Sequence, residues 1–340
     1  MHTGEHRFRG DPDHASGLCQ LQNCCLFHRI SDLSNVTSRD PALRRSLAAE
    51  IRNACVSVGF FYVKNHGIPE EVISKAVSAA ERFFSLPTET KMKLDIHASP
   101  NFKGYTALLG ENVNLNNKGD LHEAFDFGWE SDSTACSLNS VMVGKNVWPN
   151  NLPEFREDVL AYYDAALRLG VLLFPLFALA LDLPEDFFGD KVTKQGAIGR
   201  LLHYPPQPLQ PMEGIEGIGA HTERFFTILW QQDDTPALQV MNTNGKWIDA
   251  TPIPGTLVLN LGDQLARWTN DVFKSTVHRA INRTGKRRYS IPLFFGIDYN
   301  VRLEPIPGCV STDNPAKYEV VTAGEYVKSR LEATYAQSRI

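Results

Sequence analysis

Apolar residues recur at four-residue steps through Leu43, Leu47 and Ile51, then give way to the aromatic and β-branched run Val58-Gly59-Phe60-Phe61-Tyr62-Val63. The spacing predicts a helix starting near Asp40, followed by a strand. Pro69 suits a first helical turn, and Val72, Ile73, Ala76, Val77, Ala80 and Phe83 form one face of the helix that runs on to Phe84. A short helix is expected after Pro87. Residues 96–151 are rich in Asn, Gly, Asp and Ser and lack a sustained period apart from the string Asp120-Leu121-His122-Glu123-Ala124-Phe125-Asp126-Phe127-Gly128. Such long irregular stretches are often binding loops. Pro153 opens a long helix carrying Leu160, Leu167, Val171 and Phe174, with a kink expected at Pro175.

From about Gly199 the pattern changes to short strand-like runs separated by turn residues: 200–204, 227–232, 238–241, 256–260, 277–281 and 289–296. That spacing indicates a sandwich or barrel. The expected architecture is α+β, with a jelly-roll core and supporting helices. Residues 1–25 read as a flexible tail, 26–150 as a mixed N-terminal region, and 151–340 as scaffold helix, β core and C-terminal extension, all in one compact unit.

Composition narrows the function. The 340 residues carry 34 basic and 39 acidic side chains, a formal charge of −5, with 43% hydrophobic and 21% charged residues. These are globular values, and the absence of a basic tract argues against nucleic acid as a partner. The apolar stretch Leu169–Leu181 contains Gly170 and Pro175 and is shorter than the roughly 20 residues of a membrane span, so it is expected in the core. Six scattered cysteines show neither zinc-site spacing nor disulfide density. With a polar start and no apolar signal region, the cytosol is the expected location.

Three groups could carry chemistry. His221-Thr222-Glu223, on a strand, would project an imidazole and a carboxylate from one face. Alone the pair is weak, but His278 on another predicted strand supplies a third donor. Two imidazoles and one carboxylate around an otherwise open site suit non-haem Fe(II), leaving positions for dioxygen and a chelating acid. Arg288 and Ser290 form a second i, i+2 pair, a receptor for a carboxylate. The apolar run Ile291-Pro292-Leu293-Phe294-Phe295 carries that strand into the core, so the buried guanidinium needs an anion such as a diacid cosubstrate.

These residues stand in longer strings: Gly217-Ile218-Gly219-Ala220-His221-Thr222, Gly255-Thr256-Leu257-Val258-Leu259-Asn260-Leu261-Gly262-Asp263, Phe273-Lys274-Ser275-Thr276-Val277-His278-Arg279 and Arg287-Arg288-Tyr289-Ser290-Ile291-Pro292. Through them the chain resembles the Fe(II)/2-oxoglutarate-dependent oxygenases of the isopenicillin N synthase-like group. Gly59-Phe60-Phe61-Tyr62-Val63-Lys64-Asn65-His66-Gly67-Ile68 is similar to the group's N-terminal region. The resemblance implies a distorted double-stranded β-helix, His221 and His278 as iron ligands, and Arg288 and Ser290 on the distal carboxylate of 2-oxoglutarate, with Tyr204 beside it. It also marks Asn65-His66-Gly67 as a feature of the fold outside the iron site, and His97, His122 and His203 read as structural or solvated. The strings Asn101-Phe102-Lys103-Gly104-Tyr105 and Phe125-Asp126-Phe127-Gly128 are similar to fungal members, many of which act in natural-product pathways. Hydroxylation, desaturation and cyclisation of a small organic substrate all fall within that expectation. The substrate pocket is expected between residues 100–128 and the metal-facing sheet, with Phe225, Phe226 and Phe295 as apolar walls.

The chain departs from the group at one place. Position 223 is glutamate where relatives usually have aspartate, and the path from His221 to Thr227 is one step shorter than theirs. A one-residue slip reverses the face on which strand side chains lie. Glu223 therefore either folds back onto the iron, stands in for an acid placed slightly later, or belongs to a degraded site. Two rival functions follow: an iron oxidase that needs no 2-oxoglutarate, and a non-catalytic binder of small molecules.

Overall fold

The structure, a computed structural model, describes residues 29–113, 119–130, 144–207 and 215–335. The tail read at 1–25 lies outside them, as do Cys19, Cys24, Cys25 and Cys136; Cys55 and Cys309 are buried free thiols. The strands are β1 (Ile30–Asp32), β2 (Phe60–Lys64), β3 (Gly104–Thr106), β4 (Glu123–Gly128), β5 (Ile198–Tyr204), β6 (Ile218–His221), β7 (Phe226–Gln231), β8 (Leu238–Met241), β9 (Trp247–Asp249), β10 (Thr256–Leu261), β11 (His278–Ala280) and β12 (Arg288–Phe295). The α-helices are α1 (Pro41–Ser57), α2 (Glu70–Phe84), α3 (Thr88–Lys91), α4 (Phe155–Ala180), α5 (Asp263–Trp268) and α6 (Ala323–Tyr335).

Helix α1 starts where Asp40 caps it, its carboxylate accepting from the Ala42 amide at 2.8 Å with Pro41 in the first turn. Helix α4 continues through Pro175 to Ala180. By length and apolarity this 26-residue helix would suffice to cross a membrane, although the shorter stretch read from the sequence would not; here most of it is buried in the core. The segment 96–151, read as irregular apart from the string 120–128, contains β3 and, within that string, β4; both extend the edge of the main sheet. Period-two patterning is hidden there because all six residues of β4 are buried, polar and apolar alike.

Eight strands form one sheet in the order β1-β2-β10-β7-β12-β5-β4-β3, antiparallel except for the β1–β2 pair, and four form a second in the order β6-β11-β8-β9. This is the jelly-roll arrangement with helices gathered on one side. Alternation along each strand divides the large sheet into two faces. Phe61, Phe125, Leu201, Phe226, Ile291 and Phe295 join the helices in the main apolar core. Their neighbours Phe60, Asp126, Leu202, Thr227, Pro292 and Phe294 turn toward the small sheet and line the cavity between the two.

Candidate metal centre and cosubstrate pocket

His221 ends β6 and His278 begins β11, and the two strands pair with these residues directly opposite one another. Their ring centroids are 4.3 Å apart. His221 Nδ1 lies 2.8 Å from the Gly219 carbonyl and His278 Nδ1 lies 3.2 Å from the Thr276 carbonyl. A carbonyl oxygen only accepts, so each Nδ1 carries the proton and each Nε2 presents a lone pair to the site. Phe60 packs edge-on against the His278 ring at 5.2 Å.

Glu223 joins them without lying on a strand. β6 stops at His221, β7 starts at Phe226, and the intervening residues turn across the start of α5. There the amides of Gly262, Asp263 and Gln264 donate to the carbonyls of Phe225, Glu223 and Arg224 at 2.5, 2.7 and 2.6 Å. A side chain at Gly262 would put its Cβ 2.5 Å from the Glu223 carbonyl oxygen, so the contact requires glycine. The shortened segment is thus absorbed by a turn seated on helical amides, and the strand placement expected for Glu223 is replaced by that turn. The longer side chain folds back to put Oε1 3.4 Å from His278 Nε2 and 3.7 Å from His221 Nε2. One donor atom from each of the three residues lies within 4.8 Å of the others, the one such group of three among the described residues.

The electrostatics favour a cation. Burial alone would raise the Glu223 carboxyl, but the two imidazoles beside it outweigh it and hold it well below the usual carboxylate range. Burial opposes charge on both rings. At His221 the contact with Glu223 prevails and the net direction is upward; at His278 burial and the neighbouring His221 keep it below the ordinary imidazole value. An ionised carboxylate between two Nε2 lone pairs is a donor set for a divalent metal with open positions.

The same cavity, about 430 Å³, holds the second motif. Arg288 is 1% exposed and sits opposite Tyr204 across the β12–β5 ladder, its guanidinium carbon 4.7 Å from the Tyr204 ring centre. Nη1 donates to Ser290 Oγ at 3.3 Å, and Nε has no hydrogen-bond partner. Burial lowers the Arg288 pKa from its ordinary value and raises that of Tyr204. A buried guanidinium beside two hydroxyls, with an orphaned N–H, is short of an anion, and the carboxylate of a diacid would satisfy it.

The three expected apolar walls are elsewhere. Phe226 and Phe295 stack at 4.8 Å on the helix side of the sheet, and Phe225 and Phe226 lie 6.1 and 5.8 Å from Phe174 of α4. Gly170 makes room for Phe295, whose ring would be 2.3 Å from a Cβ at that position. Strand parity explains the correction: Ser290 faces the cavity, so Phe294 does too and Phe295 does not. The phenylalanines on the cavity wall are Phe60, Phe102 and Phe294. Sequence reading also passed over Glu111, Asp126 and Arg200, which line the cavity, and excluded His122, which lines it as well. Arg200 shares parity with Tyr204, the one signal that could have found it. His66 accepts from the Ile68 amide, His97 contacts Asp95, and His203 pairs with Glu123 on the helix side; none lines the cavity.

A jelly roll enclosing two histidines, a carboxylate and an unpaired buried arginine defines the class of non-haem iron oxygenases that use an organic acid. Residues 197–297 match the 2OG-Fe(II) oxygenase superfamily, and residues 29–151 match the family described as non-haem dioxygenase in morphine synthesis N-terminal. The chain is 35% identical over 317 residues to the 2-oxoglutarate-Fe(II) type oxidoreductase hxnY of Emericella nidulans, covering 91% of this chain and 90% of that one. It is 35% identical over 313 residues to the homoarginine-6-hydroxylase 2-ODD-233 of Oryza sativa, covering 90% and 94%. The crystal structure of a full-length Neurospora crassa protein in complex with alpha-KG and thymine superposes with a TM-score of 0.79 at 30% identity, covering 90% of this chain and 96% of that one. The chain belongs to the 2OG-Fe(II) oxygenase superfamily: it is an enzyme, and its cofactors are Fe(II) and 2-oxoglutarate.

Proposed function

We propose that His221, Glu223 and His278 hold the iron, that Arg288, Ser290 and Tyr204 receive the distal carboxylate of 2-oxoglutarate, and that the enzyme oxidises a small organic molecule of secondary metabolism in the cytosol. The carrying observation is that three clustered donor atoms and an anion-deficient arginine share one cavity. When bound, the iron and its cosubstrate supply the oxidising chemistry, in which decarboxylation to succinate is coupled to dioxygen reduction and oxidation of a substrate C–H bond.

The chain's own residues set the conditions. The Gly219 and Thr276 carbonyls fix both imidazole tautomers, and the turn on α5 fixes Glu223, so little reorganisation is needed to bind metal. Arg288 and Ser290 orient the diacid through two groups on one strand face, and the guanidinium lies over the Tyr204 ring. Phe60, Leu229 and Phe294 exclude water around the reacting centre. The natural-product assignment is supported by the likeness to fungal relatives; Arg288, buried without a carboxylate beside it, favours a 2-oxoglutarate-dependent oxygenase over a cosubstrate-free oxidase. The test is to supply Fe(II), 2-oxoglutarate, oxygen and candidate small molecules, and to quantify succinate and oxidised product together. Equal amounts are expected; product formed without consumption of 2-oxoglutarate would refute the assignment.

A further inference from the structure

One wall of the cavity is crossed by a row of side chains, one from each of five neighbouring strands of the large sheet. Phe60 on β2 stands opposite Asn260 on β10, Asn260 opposite Thr227 on β7, Thr227 opposite Phe294 on β12, and Phe294 opposite Ile198 on β5. All five line the cavity. Phe60 sets the row against the metal centre, because its ring packs edge-on against His278 at 5.2 Å. Along β12, Phe294 is four residues from Ser290, about 13 Å at roughly 3.3 Å per residue, farther than a five-carbon diacid gripped at Ser290 extends.

Two residues in the middle of the row are polar and unsatisfied. Thr227 Oγ1 and Asn260 Nδ2 have no hydrogen-bond partner, although each residue is only 2% exposed. As cross-strand neighbours their Cβ atoms stand about 5 Å apart, so a hydroxyl and an amide open side by side between two phenyl rings. Buried polar groups without partners cost stability, and an apolar pair of the same shape would serve packing as well or better. The row contains no charged side chain. Elsewhere on the cavity wall Arg200, Arg279 and Arg330 already bridge to carboxylates, and Arg224 stands near Asp126. What the row lacks is therefore an uncharged acceptor and not an ion.

We propose that Thr227 and Asn260 are the substrate-recognising pair of this enzyme, and that together they donate to one carbonyl oxygen of an uncharged small molecule, an amide, lactam or ketone. This rests on the oxygenase reading and adds the substrate class. A carbonyl oxygen has two lone pairs, matched by the Thr227 hydroxyl and the Asn260 Nδ2 donor, while Phe60 and Phe294 take the apolar part of such a molecule beside the metal. A pair that only joined β7 to β10, or that enclosed a structural water, would show no preference among ligands and would stabilise the fold.

The probes are acetophenone, α-methylstyrene and benzoate, which share a shape and carry a carbonyl, a methylene in its place, and a charged carboxylate. They are titrated by calorimetry into anaerobic enzyme holding Fe(II) and saturating 2-oxoglutarate, so that benzoate cannot occupy Arg288. Acetophenone is expected to bind at least about tenfold more tightly than either analogue. Thr227→Val keeps the shape and deletes the hydroxyl. It should weaken acetophenone at least about fivefold, hold 2-oxoglutarate affinity within about twofold, and leave the unfolding midpoint of the ligand-free protein unchanged or raised, since an unsatisfied buried group is removed. Asn260→Leu should do the same; if it fails to fold, Thr227→Val and the wild-type ranking decide. Equal or tighter binding of α-methylstyrene or benzoate overturns the proposal, as does the absence of binding by all three. A Thr227→Val protein that keeps the wild-type ranking, or that unfolds at a lower midpoint, overturns it too. The visible metal-to-2-oxoglutarate band of the same samples separates the two levels. A normal band without carbonyl preference sinks the substrate class alone, and an absent band in the wild-type protein sinks the oxygenase site beneath it.

Discussion

At one end of the cavity Arg288 is a buried cation with no carboxylate beside it, whereas Arg200, on the neighbouring strand, is gripped by two. The first is a receptor awaiting an anion. The second is already neutralised, with His122 also bonded to Glu111, so the same residue type is a receptor in one place and a tie between strands in the other according to its neighbours. Their construction differs too. Arg288 and Ser290 are two residues apart on β12, while Arg200 meets Asp126 from β4 and Glu111 from a connecting segment.

The largest effect should come from Arg288→Met. Loss of the charged hydrogen bonds is expected to weaken 2-oxoglutarate by about 100- to 1000-fold, with Fe(II) uptake retained. Arg200→Met, by contrast, should leave 2-oxoglutarate affinity nearly unchanged and destabilise the fold by about 3–5 kcal/mol, since two buried carboxylates lose their partner. Equal loss of cosubstrate in both variants, measured by calorimetry, would erase the distinction between the two arginines.

A second pair of variants tests the faces of β12. Phe295→Ala, which empties a site stacked on Phe226 and Gly170, should cost about 3–5 kcal/mol in chemical denaturation. Phe294→Ala, on the cavity wall, should cost about half as much or less and should alter ligand binding. Reversed costs would mean that the parity assignment is wrong. The smallest effect concerns Glu223→Asp. The residue usual in relatives should here bind Fe(II) about tenfold more weakly, because the shortened turn leaves the carboxylate one methylene short. Unchanged affinity would show that the turn has slack.

The contrast explains how much was legible. His221 with Glu223, His278, and Arg288 with Ser290 stand in short-range strings, and the strands around them alternate well enough to reveal the β core. Whether Glu223 reaches the imidazoles depended on a turn capped by the amides of residues 262–264, which no local pattern discloses. The aromatic walls were misassigned because Phe294 and Phe295 are equally hydrophobic; only parity counted from Ser290 separates them. Asp126 and Arg200 belong to strands where buried polar residues interrupt the apolar pattern, and Glu111 joins them across 89 positions. A cluster assembled from such remote residues has no signature in spacing.

The central claim is that the two imidazoles and Glu223 form one metal centre adjoining the Arg288 receptor. Anaerobic titration of Fe(II) in the presence of 2-oxoglutarate tests it most directly, read as the visible charge-transfer band. The wild-type protein should develop the band to saturation at one iron per chain, and neither His221→Ala nor His278→Ala should develop it. A band of undiminished intensity in either variant would contradict the assignment.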